Sequence, residues 1–179
     1  MEAQLRSHPR RRRVLLTAAL LALAATPGAF AGNPAGGPVG SSAPDFALPA
    51  QGGANLRLSE HRGEVVMINF WATWCGPCRQ ELPKLEELHG LYADAGFTLL
   101  GVNIDEDRAR AERMAGELGV TFPVLFDDEQ SVSRLYDVQA MPMTVFVDKD
   151  GRVRSVHHGY RPGVEALYLD ELRALLRED

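Results

Sequence analysis

The sequence predicts an α/β domain in which a mixed β-sheet is covered by helices on both faces. Three observations lead to this prediction. Val65–Trp71 is a short apolar run with β-branched residues, bounded by Gly63, which is typical of a buried central strand. Residues 78–95 then repeat leucines at helical spacing. The later segments alternate strand and helix and close with a β-hairpin and a helix, the element order of such a sheet.

The remaining elements follow from patterns further along the chain. Apolar runs predict strands at residues 97–104, 122–126 and 144–147, and a returning strand at 153–157. Helices are predicted at 107–118, 131–136 and 162–176, and Gly119 is a typical helix end for the first of them. Residues 148–151, Asp-Lys-Asp-Gly, are typical of a hairpin turn. The length of 179 residues suits one domain.

The N-terminal segment has the three parts of a secretory signal. A cluster of four arginines at residues 10–13 precedes an almost wholly apolar stretch at 14–25, and Ala29-Phe30-Ala31 supplies the small residues of a cleavage site. We therefore expect residues 1–31 to be a signal peptide, with an uncleaved membrane anchor as the alternative. Residues 32–42 are rich in Gly, Pro, Ser and Asn and are predicted to be a flexible linker. The domain then covers residues 43–179, in the periplasm or on the extracytoplasmic face of the membrane.

The charge of the chain excludes some partner classes. The whole chain carries −5, and residues 1–31 hold five arginines and one glutamate, so the remainder carries −9. An acidic domain of this kind is a poor candidate for binding nucleic acid or anionic lipid.

The two cysteines lie three positions apart in Trp74-Cys75-Gly76-Pro77-Cys78. A staple across so short a loop stabilises a fold by only about 2 kcal/mol, which is a weak reason for the pair. Cys75 falls where the buried strand meets a helix, and Pro77 suits the first helical turn. The helix N-terminus favours the thiolate at Cys75, the attacking species in disulfide exchange. Cys78, one turn further in, would then resolve the mixed disulfide.

A zinc site is the competing interpretation of the cysteine pair. A tetrahedral zinc site needs four ligands, and the sequence offers no second cysteine pair and no suitably spaced histidines. His157 and His158 are adjacent in a predicted strand and would point to opposite faces. We interpret His61 and His89 as surface residues, and we expect neither a metal nor a cofactor.

Residues 70–78, Phe-Trp-Ala-Thr-Trp-Cys-Gly-Pro-Cys, resemble the active-site segment of the thioredoxin superfamily. The fuller pattern is similar to its exported branch, the TlpA/ResA/CcmG (DsbE) proteins. The stretches that carry this likeness are residues 43–48, 58–66, 107–126 and 140–144. The resemblance covers residues 43–177 and implies a thioredoxin fold with an N-terminal extension and a helix–strand insertion.

The resemblance also implies roles for particular residues. Asn69 stands where thioredoxin has a buried aspartate, and Gly101 stands where it has a buried lysine. Glu81 matches the acidic residue of the ResA/CcmG branch, which implies a buried proton-transfer role rather than an ordinary exposed glutamate. Pro142 matches the cis-proline of the family.

Further residues are expected to contact a client protein. They are Trp74, Gly76, Pro77, Met141 and Pro142, whereas Trp71 on the strand is expected in the core.

The family resemblance implies a dithiol reductant of an exported client protein. Apocytochrome c is the implied client, with copper-site assembly proteins as the second choice, and a membrane protein of the DsbD/CcdA type is the implied electron donor. A peroxiredoxin-like peroxidase is an alternative, but Ile68 and Ala72 replace the proline and threonine that such an enzyme needs before Cys75. A copper-binding chaperone is a further alternative, but the sequence offers no added His or Met ligand at an obvious spacing from the cysteine pair. We expect the protein to be a monomer.

Overall fold

The central sheet has five strands in the order β5-β4-β3-β6-β7. β3 pairs in parallel with β4 and antiparallel with β6, and β5 and β7 extend the sheet on either side. The computed structural model describes residue 37 and residues 39–178. The strands are β1 (Ala47–Pro49), β2 (Asn55–Arg57), β3 (Val65–Trp71), β4 (Phe97–Asn103), β5 (Val124–Phe126), β6 (Met143–Val147) and β7 (Val153–His158).

Within residues 39–178, four α-helices accompany the sheet: α1 (Gly76–Tyr92), α2 (Arg108–Glu117), α3 (Ser131–Leu135) and α4 (Val164–Leu176). Among residues 39–178, no helix combines the length and the apolar character needed to cross a bilayer. The predicted signal at residues 1–31 lies outside the described residues.

All seven residues of β3 are buried, and alternate side chains feed two separate cores. Met67 and Trp71 pack into the core formed with α1, α2 and α4. Ile68 and Phe70 pack into the core on the opposite face, which α3 and the β1–β2 hairpin cover. The predicted mixed sheet with helices on both faces is thus confirmed. Because β3 is the central strand, its C-terminal end lies in the middle of the sheet's end.

The structure differs from the sequence expectations at several boundaries. The β1–β2 hairpin has no predicted counterpart. β5 begins at Val124 rather than at residue 122, because Pro123 lacks the N–H that a strand would use. α1 begins two residues early, at Gly76, because Cys75 itself caps the helix. α4 begins at Val164 after Gly163, whose φ of 103° is outside the helical range.

Residues 40–42 and 50–51, which precede the central sheet in the chain, pair with its two outer strands. Ala50 forms a bridge with Leu125 of β5, and the Gln51 N–H donates to the Val124 carbonyl at 2.8 Å. On the other side, the Gly40 N–H donates to the Val153 carbonyl of β7 at 2.7 Å. Residues 40–42, part of the predicted linker, therefore already belong to the folded domain.

Candidate active site

The junction between β3 and α1 places the cysteine pair at the edge of the sheet. Cys75 caps α1, and its Sγ accepts a hydrogen bond from the Cys78 N–H at 3.2 Å. The two cysteines form a disulfide, so the structure is that of the oxidised protein. Cys75 is 5% exposed and Cys78 is completely buried, which agrees with the expectation that Cys78 lies deeper.

The loop before Cys75 is fixed by a carboxylate at the end of the neighbouring strand. The Thr73 N–H and hydroxyl donate to Asp105 at 2.8 and 2.9 Å. Asn103 in turn donates to Asp105 at 2.8 Å. Sequence reasoning did not identify this contact, and its only signal was an acidic residue directly after the predicted strand. Asp105 therefore holds the position of the segment that carries Trp74 and Cys75.

Glu81 lies on α1 three residues after Cys78 and is completely buried, as the resemblance implied. Asn69 of β3 donates from Nδ2 to Glu81 Oε2 at 2.9 Å. The hydroxyl of Tyr168, on α4, donates to Glu81 Oε1 at 3.0 Å. The carboxyl group is thus held by two donors from different elements. Sequence reasoning missed Tyr168, because a partner so far along the chain has no local signal.

Burial raises the pKa of Glu81 from 4.5 to about 7, because desolvation disfavours the carboxylate. The hydrogen bonds from Asn69 and Tyr168 favour the carboxylate and oppose this effect without cancelling it. The carboxyl group can therefore take up or release a proton near neutral pH. This is the property that a proton acceptor for a thiol requires.

Met141 and Pro142 are joined by a cis peptide bond, as the resemblance implied. β6 pairs with β3 with Met143 opposite Phe70, so this loop lies beside the end of β3 that carries the cysteines. The Pro142 carbonyl accepts a hydrogen bond from the Gly159 N–H at 2.7 Å, and Pro142 itself is buried.

A groove of about 600 Å³ runs beside Cys75. Four of the five predicted client contacts line it: Trp74, Gly76, Pro77 and Met141. Trp74 is 66% exposed, whereas Trp71 is completely buried, as expected for each. The opposite wall comes from α3 and its flanks, including Gln130, Ser133, Arg134 and Asp137. An open groove next to Cys75 can accept an extended polypeptide.

Gly101 of β4 lies next to the buried ring of Trp71. A Cβ at this position would come within 2.7 Å of Phe122 Cε2 and 3.3 Å of Trp71 Nε1. Phe122 thus fills the space that a longer side chain on β4 would need. The site has no basic residue at this position.

Among the described histidines, none lines the groove beside Cys75. His61 and His89 are half-buried rather than fully on the surface, which corrects our interpretation of them. His157 pairs with Glu171 at 2.8 Å on the side of the sheet that carries α4. Within residues 39–178, no three or more His, Cys, Asp or Glu side chains are grouped as a metal ion would require.

Comparison with known proteins agrees with this geometry. The Redoxin family model matches residues 38–172. Thiol-disulfide oxidoreductase ResA of Geobacillus kaustophilus is 41% identical over 121 residues, which are 68% of this chain and 70% of that protein. ResA of Bacillus subtilis is 34% identical over 120 residues, 67% of each chain.

Solved structures give the same result. The crystal structure of a putative thiol:disulfide interchange protein DsbE from Chlorobium tepidum has a TM-score of 0.74 and 37% identity, covering 77% of this chain and 97% of that one. A putative protein disulfide isomerase from Bacteroides thetaiotaomicron has a TM-score of 0.73 and 30% identity, with 78% and 91% covered. With a redox-active cysteine pair at the start of α1, the chain belongs to the Redoxin family and is a thioredoxin-fold thiol–disulfide oxidoreductase of the ResA/CcmG type.

Proposed function

We propose that the protein is a dithiol reductant of exported client proteins and that apocytochrome c is its client. The observation that carries this proposal is the buried carboxyl group of Glu81, one helical turn past a disulfide whose first cysteine borders an open groove. The Gly76-Pro77 dipeptide between the cysteines is the one found in thioredoxin, which favours the reducing direction. A client disulfide is the substrate in this proposal.

In the first step, the Cys75 thiolate of the reduced protein attacks one sulfur of the client disulfide. A mixed disulfide forms between Cys75 and the client, and the other client sulfur leaves as a thiolate. The position of Cys75 at the N-terminus of α1 supports this role, because unpaired N–H groups and the helix dipole favour negative charge there.

In the second step, Cys78 releases the client. Its thiol gives its proton to the Glu81 carboxylate, and the resulting thiolate attacks Cys75 Sγ. The Cys75–Cys78 disulfide forms as the bond between Cys75 and the client breaks, the second client sulfur leaves as a thiolate, and the protein reaches the oxidised state seen here. Two electrons pass from the protein to the client. A membrane donor of the DsbD/CcdA type then reduces the protein again.

The groove supports a protein client rather than a small disulfide. Its volume of about 600 Å³ and its open shape fit an extended segment. Trp74 and Met141 offer an aromatic and a soft apolar surface on either side of Cys75. We assign substrate contact to Trp74, Gly76, Pro77 and Met141, with Pro142 placing the loop from below the surface.

The client is proposed from the family resemblance, in which the haem-binding cysteines of apocytochrome c must be reduced before haem attachment. A Cys78→Ser variant expressed in cells retains the mixed disulfide, and mass spectrometry identifies the bound client. Apocytochrome c is expected in the trapped complex. A Cys75→Ser, Cys78→Ser double variant is the control and should capture nothing through a disulfide. Capture of copper-site proteins instead would assign the second client class.

We also propose that the domain works outside the cytoplasm. The support is the arginine-rich and apolar pattern of residues 1–31, ahead of a folded domain that already includes residues 40–42. An oxidising compartment is where a reductant of disulfides has substrates.

A further inference from the structure

Four buried polar side chains meet beneath the cysteine pair, each from a different element. They are Asn69 of β3, Glu81 of α1, Thr144 of β6 and Tyr168 of α4. Asn69 and Thr144 lie opposite each other in the β3–β6 register, which brings their side chains together. In a dry cluster of this kind, every donor and acceptor must find a partner within the cluster.

The hydrogen bonds of this cluster suit an ionised Glu81. Asn69 Nδ2 donates to Glu81 Oε2 at 2.9 Å and to Thr144 Oγ1 at 3.0 Å. The Tyr168 hydroxyl donates to Glu81 Oε1 at 3.0 Å. The carboxyl group accepts both bonds, and the Thr144 hydroxyl is its third hydrogen-bond partner. Asn69 Oδ1, by contrast, is buried and has no hydrogen-bond partner among the described residues.

Protonation of Glu81 turns one carboxyl oxygen from a hydrogen-bond acceptor into a donor. A carboxylic acid must donate its O–H, and Asn69 Nδ2, which faces Oε2, cannot accept it. An amide is the one uncharged side-chain group that offers a donor and an acceptor at nearly identical positions. A half-turn of the Asn69 amide places Oδ1 where Nδ2 was, without any movement of the strand.

We propose that Asn69 is a positioning residue whose amide turns over each time Glu81 gains or loses a proton. With Glu81 ionised, Nδ2 donates to the carboxylate. With Glu81 protonated, Oδ1 accepts the acid O–H, and the Thr144 hydroxyl can donate to the same oxygen. The carboxyl group then keeps its Asn69 partner in both states. This inference rests on the proposed role of Glu81 as the acceptor of the Cys78 proton.

Other titratable groups near Glu81 must be separated from this effect. Tyr168 contacts it from α4, and His157 of β7 and Tyr160 of the loop after β7 interact with it electrostatically. Glu171 of α4 is hydrogen-bonded to the His157 ring. His157 interacts electrostatically with the Glu81 carboxyl, so a change of charge on either group could move nearby signals. A Glu81→Gln variant keeps these groups and removes only the titrating carboxyl.

The test is an NMR titration of the oxidised, isotope-labelled protein from pH 5 to pH 9. We expect a scalar coupling across the hydrogen bond from Asn69 Nδ2 to the Glu81 carboxyl carbon above the Glu81 midpoint. Below that midpoint the coupling should disappear, and the Asn69 amide shifts should follow the Glu81 carboxyl shift with the same midpoint. In Glu81→Gln, the step in the amide shifts at the Glu81 midpoint should be absent, and any change that remains comes from the other groups.

A coupling that does not change with pH would contradict the proposal. If the coupling persists below the Glu81 midpoint, Asn69 does not turn over, and the acid proton goes to the hydroxyl oxygen of Tyr168 or Thr144 instead. A Tyr168→Phe variant distinguishes the two routes, because we expect the Glu81 and Asn69 midpoints to rise together when that donor is lost. The titration uses oxidised protein without client, so its outcome is independent of whether the protein reduces apocytochrome c.

Discussion

The Tyr168 hydroxyl lies 3.0 Å from Glu81 Oε1, although the two residues are 87 positions apart in the chain. The contact ties the C-terminal helix to the helix that carries the cysteines. Because both side chains are buried, water cannot replace this hydrogen bond. The proton chemistry beneath the disulfide therefore depends on how α4 packs against α1.

Glu81 should make the oxidised protein less stable as the pH rises. Its pKa is 4.5 in the unfolded chain and about 7 in the fold, so the fold retains a proton that the unfolded chain releases. The stability that this proton provides is complete below pH 4.5 and is lost as the pH rises through about 7. At 1.36 kcal/mol per pKa unit, the loss is about 3 kcal/mol.

Urea unfolding of the oxidised wild type and of Glu81→Gln measures this effect. The stability of the variant relative to wild type should rise by about 3 kcal/mol between pH 4 and pH 8. Comparing the two proteins removes the contribution of carboxyls whose pKa is lowered, such as Asp45 and Glu64. A relative stability that is constant with pH would show that Glu81 titrates normally.

Cys75 should react before Cys78 in the reduced protein. Cys75 is at the helix N-terminus and borders the groove, whereas Cys78 is completely buried. Alkylation at neutral pH followed by peptide mapping should label Cys75 first. Cys75→Ser should abolish disulfide reduction, and Cys78→Ser should accumulate a mixed disulfide. Faster labelling of Cys78 would reverse the assignment of the two roles.

Trp74→Ala should weaken client recognition without destabilising the fold. The indole is 66% exposed, so its loss should change the free energy of unfolding by less than about 0.5 kcal/mol. We expect KM for a protein disulfide to rise several-fold, while reduction of a small aromatic disulfide continues at the wild-type rate. Leu91→Ala, at an equally exposed position near the other end of α1, is the matched control and should change neither value. An unchanged KM in Trp74→Ala would remove this residue from the client surface.

Gly101→Ala should destabilise the protein by about 1–3 kcal/mol, because the new Cβ meets the ring of Phe122 within a packed core. A second substitution, Phe122→Leu, should recover part of this loss, and a double-mutant cycle in urea measures the coupling. Gly116→Ala in α2 is the control. Its Cβ meets nothing within 4 Å, and alanine is the better helix former, so this variant should be slightly more stable.

Export can be tested with alkaline phosphatase, which needs an oxidising compartment to form its disulfides. Fused after the full chain, the phosphatase should be active in cells. Fused after a chain that lacks residues 1–31, it should be inactive. Phosphatase activity in the truncated fusion alone would contradict export by this segment.

The sequence was most informative where apolar patterns are long. The seven buried residues of β3 form a continuous apolar run, and the leucines of α1 recur at helical spacing. Each pattern indicates one type of element, so both could be predicted. β1 and β2 have three residues each, and only Leu48 of the pair is buried. A pattern this short cannot be distinguished from a loop by sequence alone, and the hairpin also packs against β5, which is distant in the chain.

The candidate site shows the same division. The cysteine pair and Glu81 belong to one continuous segment, so spacing and resemblance identified them. Tyr168 and Thr144 reach Glu81 only through the packing of α4 and β6, which no local pattern reports. Asp105 fixes the active-site loop through a contact with Thr73, 32 positions away, which the sequence likewise does not predict.

The pairing of residues 40–42 and 50–51 with the outer strands affects how the enzyme can interact with an unfolded client. Its proposed client is unfolded, since cysteines awaiting haem must be accessible, and unfolded chains add readily to free strand edges. Ala50 and Gln51 pair with the outer edge of β5, and residues 40–42 pair with the start of β7. Segments of the protein itself thus stand where a client strand would otherwise dock. At these covered positions, the sheet cannot act as a template for β-pairing with an unfolded client that is bound through Cys75.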